Sequence, residues 1–214
     1  MLKGVQKVRN NEPSTVYWLD NSLYLNITNQ CSNNCWFCLR NFKRGVADFN
    51  LKLAKDPDSE AVIAALKQTL PMRHWSEVVF CGFGEPTSRL DVLLRTACWL
   101  NRNFPALPVR LNTNGHGYKL NTGRDVAKEL KSAGLSFASI SMNGHNAQTY
   151  SENCRPGFEG AFEAVIDFVR RAKQEFSVEV TAVRMPEVDI NKVKAIAEGH
   201  GVPFRVREYI SCFW

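Results

Sequence analysis

The chain has 214 residues, 44% of them apolar and 22% charged, with a net charge of +6. That mix is the ordinary globular one and excludes a disordered or fibrous chain; no run of about 18 apolar residues offers a membrane span. Lys and Arg are dispersed and form no basic tract, so the positive balance reads as a solvated surface and nucleic acid is not indicated.

The N-terminal "MLKGVQKVRN" lacks the apolar core of a signal peptide, and a cytoplasmic protein is expected. An extended piece, "TVYWL" at 15–19, leads through Asp20 and Asn21 into a strand, "SLYLNI" at 22–27, and reads as a hairpin arm on it. Five more β-type runs follow at 77–81, 108–112, 136–141, 177–183 and 203–209. Helical periodicity occupies the intervals, at 57–70, 88–103, 121–133, 157–174 and 189–199. For the first helix Asp56 reads as the N-cap and Pro57 as the first helical residue, while Gly134 stops the third. Strands alternating with helices through right-handed crossovers predict an α/β fold with a parallel sheet. The chain is too short for eight such units, so the expected architecture is an open, six-stranded partial (β/α)6 barrel in one domain. Residues 22–209 form that core, residues 1–21 an N-terminal arm and residues 210–214 a tail.

Alternation along the strands separates an apolar face from a polar one. Tyr24, Asn26 and Thr28 share a side, as do Arg110, Asn112 and Asn114; Ser139, Ser141 and Asn143; Glu179 and Thr181; and Arg205, Arg207 and Tyr209. Buried parallel strands are usually apolar on both faces, so this repeated polar face predicts a wet lumen. Some of these groups, Glu77, Glu179 and Arg110 above all, are equally read as partners in a structural ion-pair network.

Seven cysteines, an odd number, are poorly explained by a disulfide framework in a reducing compartment. Three of them fall in "CSNNCWFC", residues 31–38, directly after the first strand and so at the functional end of a parallel sheet. Structural zinc normally closes with four ligands, and an iron–sulfur cluster also takes four cysteines as a rule. Three thiolates from one loop would hold a four-iron cluster and leave one iron open.

The spacing Cys31-x3-Cys35-x2-Cys38, with Phe37 before the last cysteine, resembles the signature of the radical S-adenosylmethionine (radical SAM) enzymes. "CGFGEPT" at 81–87 stands where that superfamily has Gly-Gly-Glu-Pro, with Phe83 in place of the first glycine, and "NTNGHG" at 112–117 and "SISMNGHN" at 139–146 end the next two strands. The narrower resemblance is to small radical SAM proteins linked to TatD-type hydrolases, carried by "YWLDNSLYLNITNQCSNNCWFCLR", "CRPGFEGAFEAVIDFVRRAK" and "VRMPEVDINKV". It implies a TIM-type partial barrel, a [4Fe-4S] cluster on Cys31, Cys35 and Cys38, and SAM chelated at the open iron. Reductive cleavage of SAM would give a 5′-deoxyadenosyl radical that abstracts hydrogen from a small or anionic substrate. An electron donor such as flavodoxin or ferredoxin is implied as partner, with a TatD-type hydrolase as a further association.

By the same resemblance Gly82, Phe83, Gly84, Glu85 and Pro86 meet the methionine end of SAM, and Asn112, Asn114, Ser139, Ser141 and Asn143 its ribose and carboxylate. Phe37 and Met185 are candidates to bracket the adenine. His116, His145, Cys154 and Cys212 are candidate catalytic residues, beside the reading of the histidines as loop residues and of the thiols as inert. Arg155, Arg205 and Arg207 are candidates to bind a substrate carboxylate or phosphate, which suits the guanidinium fork. An activase that places a radical on a partner protein is an alternative, and a non-enzymatic zinc or electron-transfer module is a second one.

Overall fold

The computed structural model of the protein describes residues 12–210. The chain opens with an antiparallel hairpin, β1 (Val16–Leu19) and β2 (Ser22–Leu25), which turns through Asp20 in the left-handed region (φ 51°). A two-stranded ribbon follows, β3 (Gly45–Val46) and β4 (Phe49–Asn50). Then come α1 (Ser59–Thr69), β5 (Glu77–Phe80), α2 (Leu90–Asn103), β6 (Val109–Thr113), α3 (Gly117–Leu120), α4 (Val126–Ser132) and β7 (Leu135–Ser141). The remainder is α5 (Ala147–Cys154), α6 (Ala161–Ala172), β8 (Ser177–Val183), α7 (Ile190–Gly199) and β9 (Phe204–Arg207).

One sheet of seven strands has the order β1-β2-β5-β6-β7-β8-β9. From β2 to β9 every neighbour is parallel, and β1 and β9 remain as edges, so the sheet is a six-unit open barrel extended by one antiparallel strand. Its convex face carries Leu23, Leu25, Val78, Phe80, Leu111, Ala138, Ile140, Val180 and Ala182, all buried against Leu66, Leu93, Leu100, Leu130, Phe168 and Val193 of the helices. Burying side chains of this size contributes about 1.5–3 kcal/mol each. This layer holds the strand ends in register. No helix among the described residues is long and apolar enough to cross a membrane.

Several boundaries differ from the sequence expectation. Helix α1 is capped by Asp58, whose side chain accepts from Ala61 N at 2.8 Å, two residues later than read. Asp56 is otherwise engaged: it accepts from Thr28 Oγ1 at 2.8 Å and Asn29 N at 3.2 Å, and pairs with Arg89 at 3.2 Å. The third predicted helix, 121–133, shortens to α4 and is preceded by the separate turn α3, and residues 157–160 lie outside α6, which starts after Gly160 at φ 70°. Helix α5 was not expected at all.

The polar face of the sheet is in part an ion-pair network. Glu77 pairs with Arg110 at 3.2 Å and accepts from Ser22 Oγ at 2.9 Å. Glu179 pairs with Arg205 rather than with Arg110, and also accepts from Ser139 Oγ at 2.6 Å. Burial opposes ionisation of Glu179, but the hydrogen bonds from Arg205 and Ser139 win and hold its carboxyl below the usual range.

Candidate active site

The cysteine loop lies over the carboxyl ends of the strands and is fastened on three sides. Below it, Asn114 at the end of β6 donates through Nδ2 to Ser32 Oγ at 2.9 Å and to Cys31 Sγ at 3.7 Å. To one side, α5 ends in Arg155, a non-glycine residue at φ 47°. That turn aims the carbonyls of Cys154 and Arg155 at Asn34 N, at 2.9 and 3.1 Å, and Asn33 bridges to Pro156. Trp36 adds an indole hydrogen bond to Asn153 Oδ1 at 3.0 Å. From within the loop, Arg40 folds back and donates to Asn33 O at 3.1 Å and Asn34 Oδ1 at 3.3 Å. Its charge favours the thiolate of each of the three cysteines.

All three thiols are half-buried and their pKa values are raised. Burial pushes Cys31 up to about 12, with the Glu85 carboxylate adding to it. Cys35 is raised first by its hydrogen bond with the buried Cys154 and then by burial, and Cys38 by burial. Cys35 in turn bears on both Cys31 and Cys38, so the three belong to one electrostatic group. Metal binding at such a loop must expel protons, and its affinity rises with pH.

The GFGEP loop is locked against the same structure. Glu85 is fully buried and accepts from Thr87 N at 3.0 Å, Thr87 Oγ1 at 2.7 Å, Thr113 Oγ1 at 2.7 Å and Asn114 N at 2.7 Å. Burial raises its pKa against these four bonds. Its carboxylate therefore binds the loop to the end of β6 and faces protein donors on all these sides. Phe83 N donates to Asn26 Oδ1 at 3.3 Å, and Glu85 N to Gln30 O at 2.7 Å. A Cβ on Gly82 would stand 2.0 Å from Asn26 Oδ1, and one on Gly84 would stand 2.5 Å from Thr28 O and Gln30 O. The close approach that these glycines permit is to the chain itself, where the first strand runs into the cysteine loop. Pro86 is buried and starts a 3-10 turn before α2.

His116 is completely buried. Its Nδ1 meets Ser32 Oγ at 2.9 Å and its Nε2 meets Tyr150 OH at 3.0 Å, while Asn33 Nδ2 donates to that same phenol at 3.0 Å. Desolvation lowers the imidazole to about 4, so it is neutral at physiological pH. It supports the cysteine loop from beneath. His145 accepts from Asp189 N at 3.2 Å at the start of α7, and Asn143 Oδ1 accepts from Val183 N at 2.9 Å. Ser141 Oγ accepts from Arg207 Nη2 at 2.9 Å. Met185 is 3% exposed within the core, and Phe37 stands edge to face with Trp36 at 5.7 Å. Asn112 Oδ1 is buried without a hydrogen-bond partner. Arg155 is exposed, and Cys212 lies outside the described residues.

Sequence reading missed Arg40, Tyr150, Asn153 and the reach of Thr113. The signal for α5 was present as Asn146, which caps it by accepting from Thr149 N at 2.8 Å.

Three thiols from one loop are the donor chemistry of a four-iron cluster that keeps one iron for another ligand. Among the described residues no three of His, Cys, Asp or Glu converge closely enough to ligate one metal ion. A four-iron cluster makes no such demand, because each thiolate takes a different iron. Cys31, Cys35 and Cys38 would hold it, with Arg40 as the neighbouring cation.

A parallel partial barrel with a three-cysteine loop at its carboxyl mouth defines a class of cluster enzyme. The sequence matches the model of the radical SAM superfamily over residues 25–198, and the chain belongs to that superfamily, whose members are enzymes that use a [4Fe-4S] cluster and SAM. Solved structures agree in fold. SuiB of Streptococcus suis bound to S-adenosylmethionine superposes with a TM-score of 0.69 at 14% identity, over 89% of this chain and 41% of its own. TYW1 with a lysine-pyruvate adduct gives 0.62 at 15%, over 89% and 65%. Methylornithine synthase (PylB) gives 0.55 at 15%, over 88% and 53%. The chain thus spans between 41% and 65% of these neighbours' lengths. No curated protein matches the sequence significantly.

Proposed function

We propose that the protein is a radical SAM enzyme that acts on a small or anionic substrate, with Cys31, Cys35 and Cys38 as cluster ligands. The observation that carries this reading is the cysteine loop itself: three thiols gathered over the lumen, tied to Asn114 and bordered by a GFGEP loop that Glu85 fixes to the same strand end. When bound, the cluster and SAM supply the reductive cleavage that yields a hydrogen-abstracting 5′-deoxyadenosyl radical. The protein's part is position and exclusion of water. The backbone groups of residues 82–86 that are not already bonded within the chain are the polar contacts offered to SAM, with Phe37 on the apolar side. Ser139 and Asn143 are tied to Glu179 and Val183, and act by holding the lumen's shape.

The resemblance to TatD-linked radical SAM proteins supports assignment to that subgroup, with a flavodoxin or ferredoxin as reductant, a cytoplasmic setting and a TatD-type hydrolase as functional associate. The test is anaerobic: reconstitute with iron and sulfide, add dithionite and SAM, and measure 5′-deoxyadenosine beside Cys35→Ala. Product from the wild type alone supports the reading. A fully loaded cluster that gives none, with or without cell extract as a source of substrate, contradicts it.

A further inference from the structure

We propose that Arg207 is the anion-recognition residue of the lumen and takes a carboxylate or phosphate group of the substrate. The identity of the ligand as substrate rests on the radical SAM reading; the anion subsite itself does not. Of the lumen's arginines, Arg110 is spent on Glu77 and Arg205 on Glu179. Arg207 ends β9 one rung higher, opposite Val183, where Cys81, Arg205, Glu179 and Cys35 all lie close enough to bear on its charge. It is therefore at the carboxyl end of the last strand, two residues before Tyr209, whose ring meets Trp36 of the cysteine loop at 5.8 Å.

Its partners do not account for its charge. One nitrogen donates to the neutral Ser141 hydroxyl at 2.9 Å, and among the described residues Arg207 forms no ion pair. Its Nε is buried without an acceptor. Burial lowers its pKa, the mark of a cation held in a poorly solvated place. Arg207 is half-buried, and a guanidinium partly stripped of water with no carboxylate in contact costs stability that an apolar side chain of similar volume would avoid. An oxyanion offers two oxygens to a planar fork of N–H donors and would satisfy both needs. Asn33 Oδ1, Thr96 Oγ1 and Arg110 Nε are also buried without partners, but Arg110 keeps its ion pair with Glu77, and the further unpartnered atom on the lumen face supports the same picture. Asn112 pairs in register with Ser139, one rung below Ser141, and its buried Oδ1 lacks a donor. The fitting ligand carries an oxyanion for Arg207 and an N–H or O–H group for Asn112.

The experiment uses the full-length, anaerobically reconstituted protein with inorganic phosphate and acetate as probes, titrated at constant ionic strength against chloride. Wild type is expected to show a saturable rise in Tm of about 5–10 °C at a hundredfold excess over Kd. Arg207→Met is expected to be at least as stable without ligand and to show no such rise. Arg207→Lys, which keeps the charge without the fork, should bind several-fold more weakly and covers the case in which the Met variant does not fold. A wild type that responds no more than to chloride, or variants that respond as wild type does, overturns the proposal. SAM affinity, measured by equilibrium dialysis, separates the two sources of a carboxylate. An Arg207→Lys or Arg207→Met affinity within about twofold of wild type assigns the anion to the substrate; a loss of about tenfold or more assigns it to SAM and overturns the substrate role. Failure of SAM cleavage would leave the phosphate response intact, so the two readings fail separately.

Discussion

Replacing His116 by Gln should remove most of the protein's acid sensitivity between pH 7 and pH 5. The neutral ring donates at one nitrogen and accepts at the other, between hydroxyls of Ser32 and Tyr150 that already accept from Asn114 and Asn33. Burial lowers its folded pKa to about 4 from the ordinary 6.5, so between these values the unfolded chain binds the proton and the folded one does not. The stability this leaves is full above about pH 6.5 and is lost as pH falls towards 4. With those two values the loss from pH 7 to pH 5 is about 2 kcal/mol, which for a chain of this size is about 4–8 °C in Tm. The assay is urea and thermal unfolding of wild type and His116→Gln under reducing conditions at the two pH values, comparing the differences rather than the absolute stabilities. Glu85, whose raised pKa acts in the opposite direction, is present in both proteins and cancels. Equal pH dependence of the two would refute a buried neutral imidazole in this network.

Other substitutions probe the loops around it. Glu85→Gln puts an amide where four donors converge and should cost about 3 kcal/mol, seen as a lowered urea midpoint. A loss under about 1 kcal/mol would mean that the carboxylate does not bind the GFGEP loop to β6. Arg155→Gly relieves a left-handed residue and should stabilise by up to about 1 kcal/mol; a clear loss in thermal unfolding would assign its side chain a structural contact. Arg40→Gln takes a positive charge from beside the cysteines, so the midpoint potential of the reconstituted cluster should become more negative in a redox titration. An unchanged potential would place Arg40 too far away to matter.

Much of the frame was legible because it depends on local signals. Period-two alternation marked five of the six parallel strands and a short apolar run the sixth, and the polar face was correctly separated from the apolar one at Arg110, Ser139 and Arg205. What escaped depends on tertiary partners. Asp56 and Asp58 are equal as caps by sequence, and only Thr28, Asn29 and Arg89 decide between them. Helix α5 buries Thr149, Asn153 and Cys154 beside Tyr150, so its inner face is largely polar and gives weak apolar periodicity. It is polar because its neighbour is the cysteine loop, which it holds by hydrogen bonds. Glu85 stood in a motif, but the direction of its carboxylate was set by Thr113 and Asn114, nearly 30 residues away.

The claim that three thiols hold a cluster with one accessible iron is tested most directly by electron paramagnetic resonance of the reconstituted, dithionite-reduced protein before and after SAM is added. The account predicts a [4Fe-4S] signal whose g values shift on adding SAM, and its loss in Cys31→Ala, Cys35→Ala and Cys38→Ala alike. A signal indifferent to SAM, or tight binding of one zinc ion per chain in place of a cluster, would contradict it.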